Sequence, residues 1–127
     1  MQFQLITPEK IFYSGNITEV VVPGEDGEFG VLEGHAPTIS TLKPGVVTIQ
    51  TSEGETHKVA VLGGVAEAIS ERCSVLAEVA KSLDDVSRED LQAELDEANS
   101  KLAAANDDDI QPAAREVAMI EAALLAV

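Results

Sequence analysis

The sequence predicts a β + α fold: an N-terminal flattened β-sandwich of about ten short strands over residues 1–83, then an antiparallel two-helix hairpin over residues 84–127. Three observations predict it. All nine glycines lie between Gly15 and Gly64. Eleven alanines fall within the 44 residues from Asp84 to Val127. Apolar residues recur at every second position in the first part and at every third or fourth in the second. Glycine punctuates strands and turns, alanine is the best helix former, and the two periods are those of a strand face and a helix face.

Along the first part, strand patterns fall at Gln2–Ile6, Lys10–Tyr13, Thr18–Val22, Glu28–Leu32, Thr38–Leu42, Val46–Thr51, Thr56–Leu62, Val65–Ile69 and Cys73–Val79. Val47 and Ile49 alternate with Thr48 and Gln50, and Val75, Ala77 and Val79 repeat the same period. Ser52-Glu53-Gly54-Glu55 reads as a hairpin loop between two of these strands. Strands this short and numerous close best as a sandwich or flattened barrel.

The second part opens on Ser87-Arg88-Glu89-Asp90, with capping-box spacing and Ser87 at the N-cap. Leu91, Leu95, Ala98 and Leu102 form one apolar stripe on a helix ending near Ala105. Asn106-Asp107-Asp108-Asp109 breaks it, and Pro112 is tolerated in the first turn of the next helix. There Ala113, Val117, Ile120 and Leu124 recur at helical spacing. The short connection makes the helices antiparallel neighbours. Their alanine-rich stripe is thin, so the hairpin is expected to lean on the sandwich or on a partner.

Charge narrows the functional classes. Acidic residues number 23 against 8 basic, a net charge of −15. Residues 84–127 alone hold 12 acids and 3 bases, net −9. Such a chain repels nucleic acid and anionic lipid surfaces. Aromatics are limited to Phe3, Phe12, Tyr13 and Phe29, which leaves no base-stacking platform. The single cysteine, Cys73, rules out an intramolecular disulfide and a multi-cysteine metal site, and its strand pattern makes it a small core residue. Met1–Ile6 lacks the basic start and apolar stretch of a signal peptide. The apolar run Ala122–Val127 is six residues, far short of the roughly 20 that cross a bilayer. A soluble chain without direct membrane insertion is expected.

The densest segment is Pro23-Gly24-Glu25-Asp26-Gly27-Glu28-Phe29-Gly30-Val31-Leu32-Glu33-Gly34-His35-Ala36-Pro37. Glu28 or Asp26 beside His35 raises an acid–base pair, but no nucleophile accompanies it in a recognisable elbow. Gly24-x-x-Gly27-x-x-Gly30 is neither a P-loop nor a dinucleotide fingerprint, and its acids repel phosphate. A loop presented to a protein partner fits these residues best. Asp107-Asp108-Asp109 lacks the spaced ligands, central glycine and distal glutamate of a calcium loop, so it reads as a solvated turn with a helix cap. His57 is a surface residue beside a hairpin, since two distant histidines make a poor zinc signal. No catalytic, metal or cofactor residue is assigned.

Gly27-Glu28-Phe29-Gly30-Val31-Leu32-Glu33-Gly34-His35-Ala36-Pro37 resembles the signature of the ε subunit of bacterial-type F-type ATP synthases. Phe12-x-Ser14-Gly15, Leu42-Lys43-Pro44-Gly45 and Leu62-Gly63-Gly64-Val65-Ala66-Glu67 look like further family turns, and the capped helix pair looks like its hairpin. The resemblance implies a flattened sandwich followed by two helices. It implies a subunit without an active site or cofactor, joined to γ in the central stalk and turning with the membrane ring of c subunits. Mapped here, the ring-contact loop comprises Glu28, Gly30, Gly34 and His35. Contact of the hairpin with the catalytic head and a peripheral position on the cytoplasmic face of the bacterial inner membrane are also implied.

The match departs at the hairpin. Family members that bind ATP open it with Ile/Leu-Asp-x-x-Arg-Ala, whereas Val86-Ser87-Arg88-Glu89-Asp90-Leu91 puts Ser87 and Asp90 at the Asp and Arg positions. Arg115 is the second helix's only cation. Neither ATP binding nor strong inhibition of hydrolysis by the hairpin is therefore expected. The rival from another class is a free-standing adaptor or ligand-sensing module with a mobile helical arm.

Overall fold

The computed structural model describes residues 1–127. Nine strands precede two helices: β1 (Gln2–Ile6), β2 (Ile11–Gly24), β3 (Gly27–Leu32), β4 (Thr38–Thr41), β5 (Gly45–Thr51), β6 (Thr56–Val61), β7 (Gly64–Ile69), β8 (Arg72–Ala77), β9 (Ala80–Ser82), α1 (Arg88–Ala104) and α2 (Ile110–Ala126). One sheet runs β4-β7-β8-β1-β2, the other β3-β2-β5-β6-β9, and β2 belongs to both. All pairs are antiparallel except β1 with β8.

The expected strands at Lys10–Tyr13 and Thr18–Val22 are one strand. Ser14, Gly15 and Asn16 continue the ladder to Gln4, Phe3 and Gln2, and the register shifts between Ile17 and Glu19 as β2 passes to the second sheet. The polar stretch that suggests a break is the solvent side of a strand crossing a corner. The expected strand at Cys73–Val79 ends at Ala77, and the chain re-enters as β9 beside β6.

Alternation does the packing. On β5, Val47 and Ile49 point inward and are fully buried, while Val46, Thr48 and Gln50 face the other way, half-buried. Sixteen buried residues form the sandwich core, led by Phe3, Leu5, Ile17, Val20, Val22, Val31 and Ile49. A second cluster of eight joins Ala60 and Leu83 to Leu91, Ala98, Val117, Met119, Ile120 and Ala123. The two clusters share no residue.

The hairpin starts as its cap predicts, with the Asp90 amide donating to Ser87 Oγ at 3.1 Å. At the second start the acceptor is Asn106, not an aspartate. Asn106 Oδ1 takes the Asp108 and Asp109 amides at 3.1 and 3.2 Å, and Asp109 makes no side-chain cap bond. The buried face of α2 is wider than the predicted stripe, adding Met119 and Ala123, because α2 packs on α1 and also on β5 and β6. Arg115 pairs with Glu78 at 3.4 Å, Lys81 with Glu94 at 3.2 Å and His57 with Asp84 at 2.9 Å. Each is partly solvent-exposed and contributes little, so the apolar seat around Ala60 does most of the holding.

Two outcomes follow from these cores. A chain ending after Leu83 keeps all sixteen sandwich-core residues, so circular dichroism on heating should show one cooperative transition. A featureless melt would refute independent folding of residues 1–83. Burial pushes the Cys73 thiol up to about 11, so at pH 8 only about one thiolate in a thousand exists by titration alone. Alkylation of the native chain at pH 8 should be negligible, and rapid under denaturant.

Candidate functional site: the β2–β3 turn and the rim that follows it

β2 and β3 are joined by Glu25-Asp26, closed by the Gly24–Gly27 pair, with Gly27 at φ +134°. A side chain on Gly24 would strike the Gly27 carbonyl and the Phe29 ring, so this turn tolerates only glycine there. The Glu25 amide donates to the Thr41 carbonyl at 2.9 Å and the Lys43 amide to the Pro23 carbonyl at 3.0 Å, tying the turn to the chain that leads into β5.

Strand alternation then distributes the motif. Val31 is buried and Phe29 packs against the core, whereas Glu28, Gly30 and Leu32 are exposed on the other side. Glu28 lines an open groove of about 420 Å³ with Pro23, Lys43, Lys58, and Ala122 and Leu125 of α2. Gly30 lies in extended strand opposite Val21, where a Cβ would come within 3.2 Å of the Glu19 carboxylate. Its role is room for that carboxylate and not an unusual turn. Gly34 does use the left-handed region, at φ +88°, with open space around it.

Beyond β3 the rim is fixed by main chain. The His35 amide donates to the Leu32 carbonyl at 3.1 Å, and the Gly34 amide to the Ser70 carbonyl at 2.7 Å. The half-buried His35 ring lies 6.4 Å from the Phe29 ring, with Nδ1 2.6 Å from the Ala36 carbonyl. Glu33 pairs with the Met1 ammonium at 3.3 Å.

The structure therefore brings His35 against Phe29 and sets Glu28 at the other end of β3, facing the groove. The acid–base pair raised by the sequence has no geometry: His35 makes no ion pair with Glu28 or Asp26. His57 is half-buried and bonded to Asp84 where the sandwich meets the hairpin, close to Tyr13. Tyr13 is itself raised, by burial first and then by Glu53 and Glu55. Asp107-Asp108-Asp109 is an exposed turn. Lys58 and Leu125 carry no signal in the sequence, and Lys43 enters there only as part of the Leu42–Gly45 turn. They reach one groove from the β4–β5 connection, β6 and α2, and no local pattern links those segments.

The three cations of the hairpin all have partners. Arg88 donates to the Val127 carbonyl at 2.5 Å, Lys101 lies 3.9 Å from Glu97, and Arg115 pairs with Glu78. No helix is long and apolar enough to cross a membrane.

The profile of the family described as ATP synthase, Delta/Epsilon chain, beta-sandwich domain matches residues 1–82. The chain is 45% identical over 105 residues to the ATP synthase epsilon chain of Agrobacterium fabrum, covering 83% of this chain and 77% of that one. It is 39% identical over 115 residues to that of Mesorhizobium japonicum, covering 91% and 85%. Among solved structures, a chain of the cryo-EM structure of Euglena gracilis mitochondrial ATP synthase (OSCP/F1/c-ring in rotational state 1) superposes with a TM-score of 0.80 at 21% identity. That match covers 98% of this chain and 79% of that chain. The last likeness shows a shared fold. The sequence matches show more: the chain belongs to the ATP synthase delta/epsilon family, as an epsilon subunit of that membrane-associated complex.

Proposed function

We propose that the chain is a non-catalytic rotor part of a proton-translocating ATP synthase, joining γ to the c-ring in the central stalk on the cytoplasmic face of the bacterial inner membrane. The observation that carries this reading is the rim from Gly27 to Pro37. Its Glu28, Glu33 and Gly34 are exposed, the Gly34 amide donates to the Ser70 carbonyl between β7 and β8, and Pro23 and Glu25 just before it bond to Lys43 and Thr41. A coupling surface must transmit torque without yielding, and a short loop braced by hydrogen bonds and a buried Val31 does so better than a free one. Glu28 and His35, at opposite ends of this segment, then offer a carboxylate and an imidazole to the ring, with Gly30 making room for the Glu19 carboxylate and Gly34 left in open space.

Rim contacts of this kind contribute well under about 2 kcal/mol each, so single changes loosen coupling without preventing assembly. A cysteine at position 28 or at position 35 should form a disulfide with a cysteine placed in the polar loop of the ring, in intact complex under mild oxidant. Cys73 is buried and does not compete. No cross-link from either position, in complex that still makes ATP, would remove this loop from the ring contact.

The hairpin is proposed to be neither a nucleotide site nor a strong brake. A triphosphate needs several donors converging on one site, and residues 84–127 hold only three cations, Arg88, Lys101 and Arg115, each beside an oxygen acceptor of this chain. Ser87 is spent on the helix cap. Net −9 over residues 84–127 also repels acidic segments of a catalytic head. Calorimetry with Mg-ATP should show no binding at micromolar concentration, and deleting residues 84–127 should leave ATP hydrolysis by the assembled enzyme within about twofold. Micromolar affinity, or a large rise in hydrolysis, would overturn the corresponding claim.

A further inference from the structure

We infer that the Asp26–Gly27 linkage is a site of spontaneous isomerisation, at which the main chain reroutes through the Asp26 side chain as isoaspartate. This change opens the tip of the β2–β3 hairpin and leaves the sandwich intact. It is a property of the chain itself and does not depend on the stalk reading. The chain has eight aspartates and three asparagines. Only Asp26 is followed by glycine; every other one precedes a residue that carries a side chain. The reaction needs the next residue's nitrogen to reach the side-chain carbonyl carbon, and a Cβ on that residue obstructs the approach.

The fold leaves this linkage accessible. Asp26 is exposed at the apex of the two-residue turn. Its neighbours' carboxylates are engaged: Glu25 accepts from Thr41 Oγ1 and Glu33 from the Met1 ammonium, whereas that of Asp26 bonds to no group of the chain. Beside Gly27 lies open space, since an added Cβ would meet no heavy atom within 4 Å. Gly27 sits at φ +134°, a conformation that L side chains rarely adopt. The turn thus demands the residue that makes it reactive. Other positions are shielded. Asp90, Asp96 and Asn99 lie in α1, where main-chain amides are held in helical bonds, and Asp84 is bonded to His57.

The step balances with water as the only co-reactant. The Gly27 nitrogen attacks Asp26 Cγ: an N–Cγ bond forms, the Cγ–OH bond breaks, and the amide proton leaves with the hydroxyl as water. The product is a five-membered succinimide. Water then adds to either ring carbonyl. Opening at Cγ restores aspartate; opening at the main-chain carbonyl gives isoaspartate, with mass unchanged and the main chain one atom longer. A two-residue turn closed by the Gly24–Gly27 pair has no slack for that atom. It disturbs the Pro23–Glu28 pairing and the 2.9 Å bond from the Glu25 amide to the Thr41 carbonyl. The buried Val22 and Val31 lie further along the ladder, so the core is kept.

The test is ageing of the full chain for several weeks at 37 °C and pH 7.4, then tryptic mapping with fragmentation that tells isoaspartate from aspartate. Lys43 precedes proline and resists trypsin, so Asp26 is the only aspartate in the peptide of residues 11–58. Isoaspartate should accumulate there at least tenfold more than at any other aspartate, at no less than a tenth of the rate in denaturant. Asp26→Glu, which can close only the slower six-membered ring, should abolish it. Absence of isoaspartate at residue 26 of the aged native chain would overturn the site, as would an equal signal from Asp26→Glu. Converted chains, separated by chromatography, should exchange the Glu25 amide at least tenfold faster and keep the cooperative melt. Unchanged exchange would overturn the opening of the tip, and loss of the melt would overturn the intact sandwich.

Discussion

The structure depends on one strand turning a corner. β2 is 14 residues long and pairs with β1 along its first half and with β3 and β5 along its second. Its inward positions Ile17, Val20 and Val22 are among the most buried side chains in the chain. Because both sheets share this strand, their relative placement is set by covalent backbone and ladder bonds, not by side-chain packing alone. The Ile17–Glu19 register shift supplies the local bend such a crossing needs. Everything functional hangs from its far end: Pro23 and Gly24 close the β2–β3 turn, and β3 carries the rim outward.

The hairpin is attached on different terms. Its apolar cluster shares nothing with the sandwich core and reaches the sheet through Ala60, with Val46 and Leu62 packed at its margin. The ion pairs across the joint are exposed and screened by salt. Two apolar clusters that share no residue suit a sandwich that keeps its shape while its helices answer to neighbours.

Much of this was legible before any coordinates. The two-residue period of β5 and β8, the Ser52–Glu55 turn and the Ser87 cap are local signals, written within a few residues. What escaped is non-local. Ser14-Gly15-Asn16 looks like a break because only pairing to β1 shows it to be strand. β9 is three residues long and exists through β6. Met119 and Ala123 lie off the predicted stripe because α2 serves two partners at once. Of the candidate site, the Gly27–Pro37 segment stood out through its turn residues. The division of Glu28 from His35 by strand alternation, and the groove that joins Glu28 to Lys43, Lys58 and Leu125, needed the assembled sheet. Gly30 shows the same limit: its reason is the Glu19 carboxylate on the neighbouring strand.

As an epsilon subunit of ATP synthase, the chain takes its meaning from what it is built into. Affinity purification of a tagged chain from gently solubilised membranes tests that most directly. The account predicts co-elution of γ, the c-ring and the catalytic head in fixed proportion, with proton-driven ATP synthesis on reconstitution. Elution of the tagged chain alone, or with partners outside the ATP synthase, would contradict it.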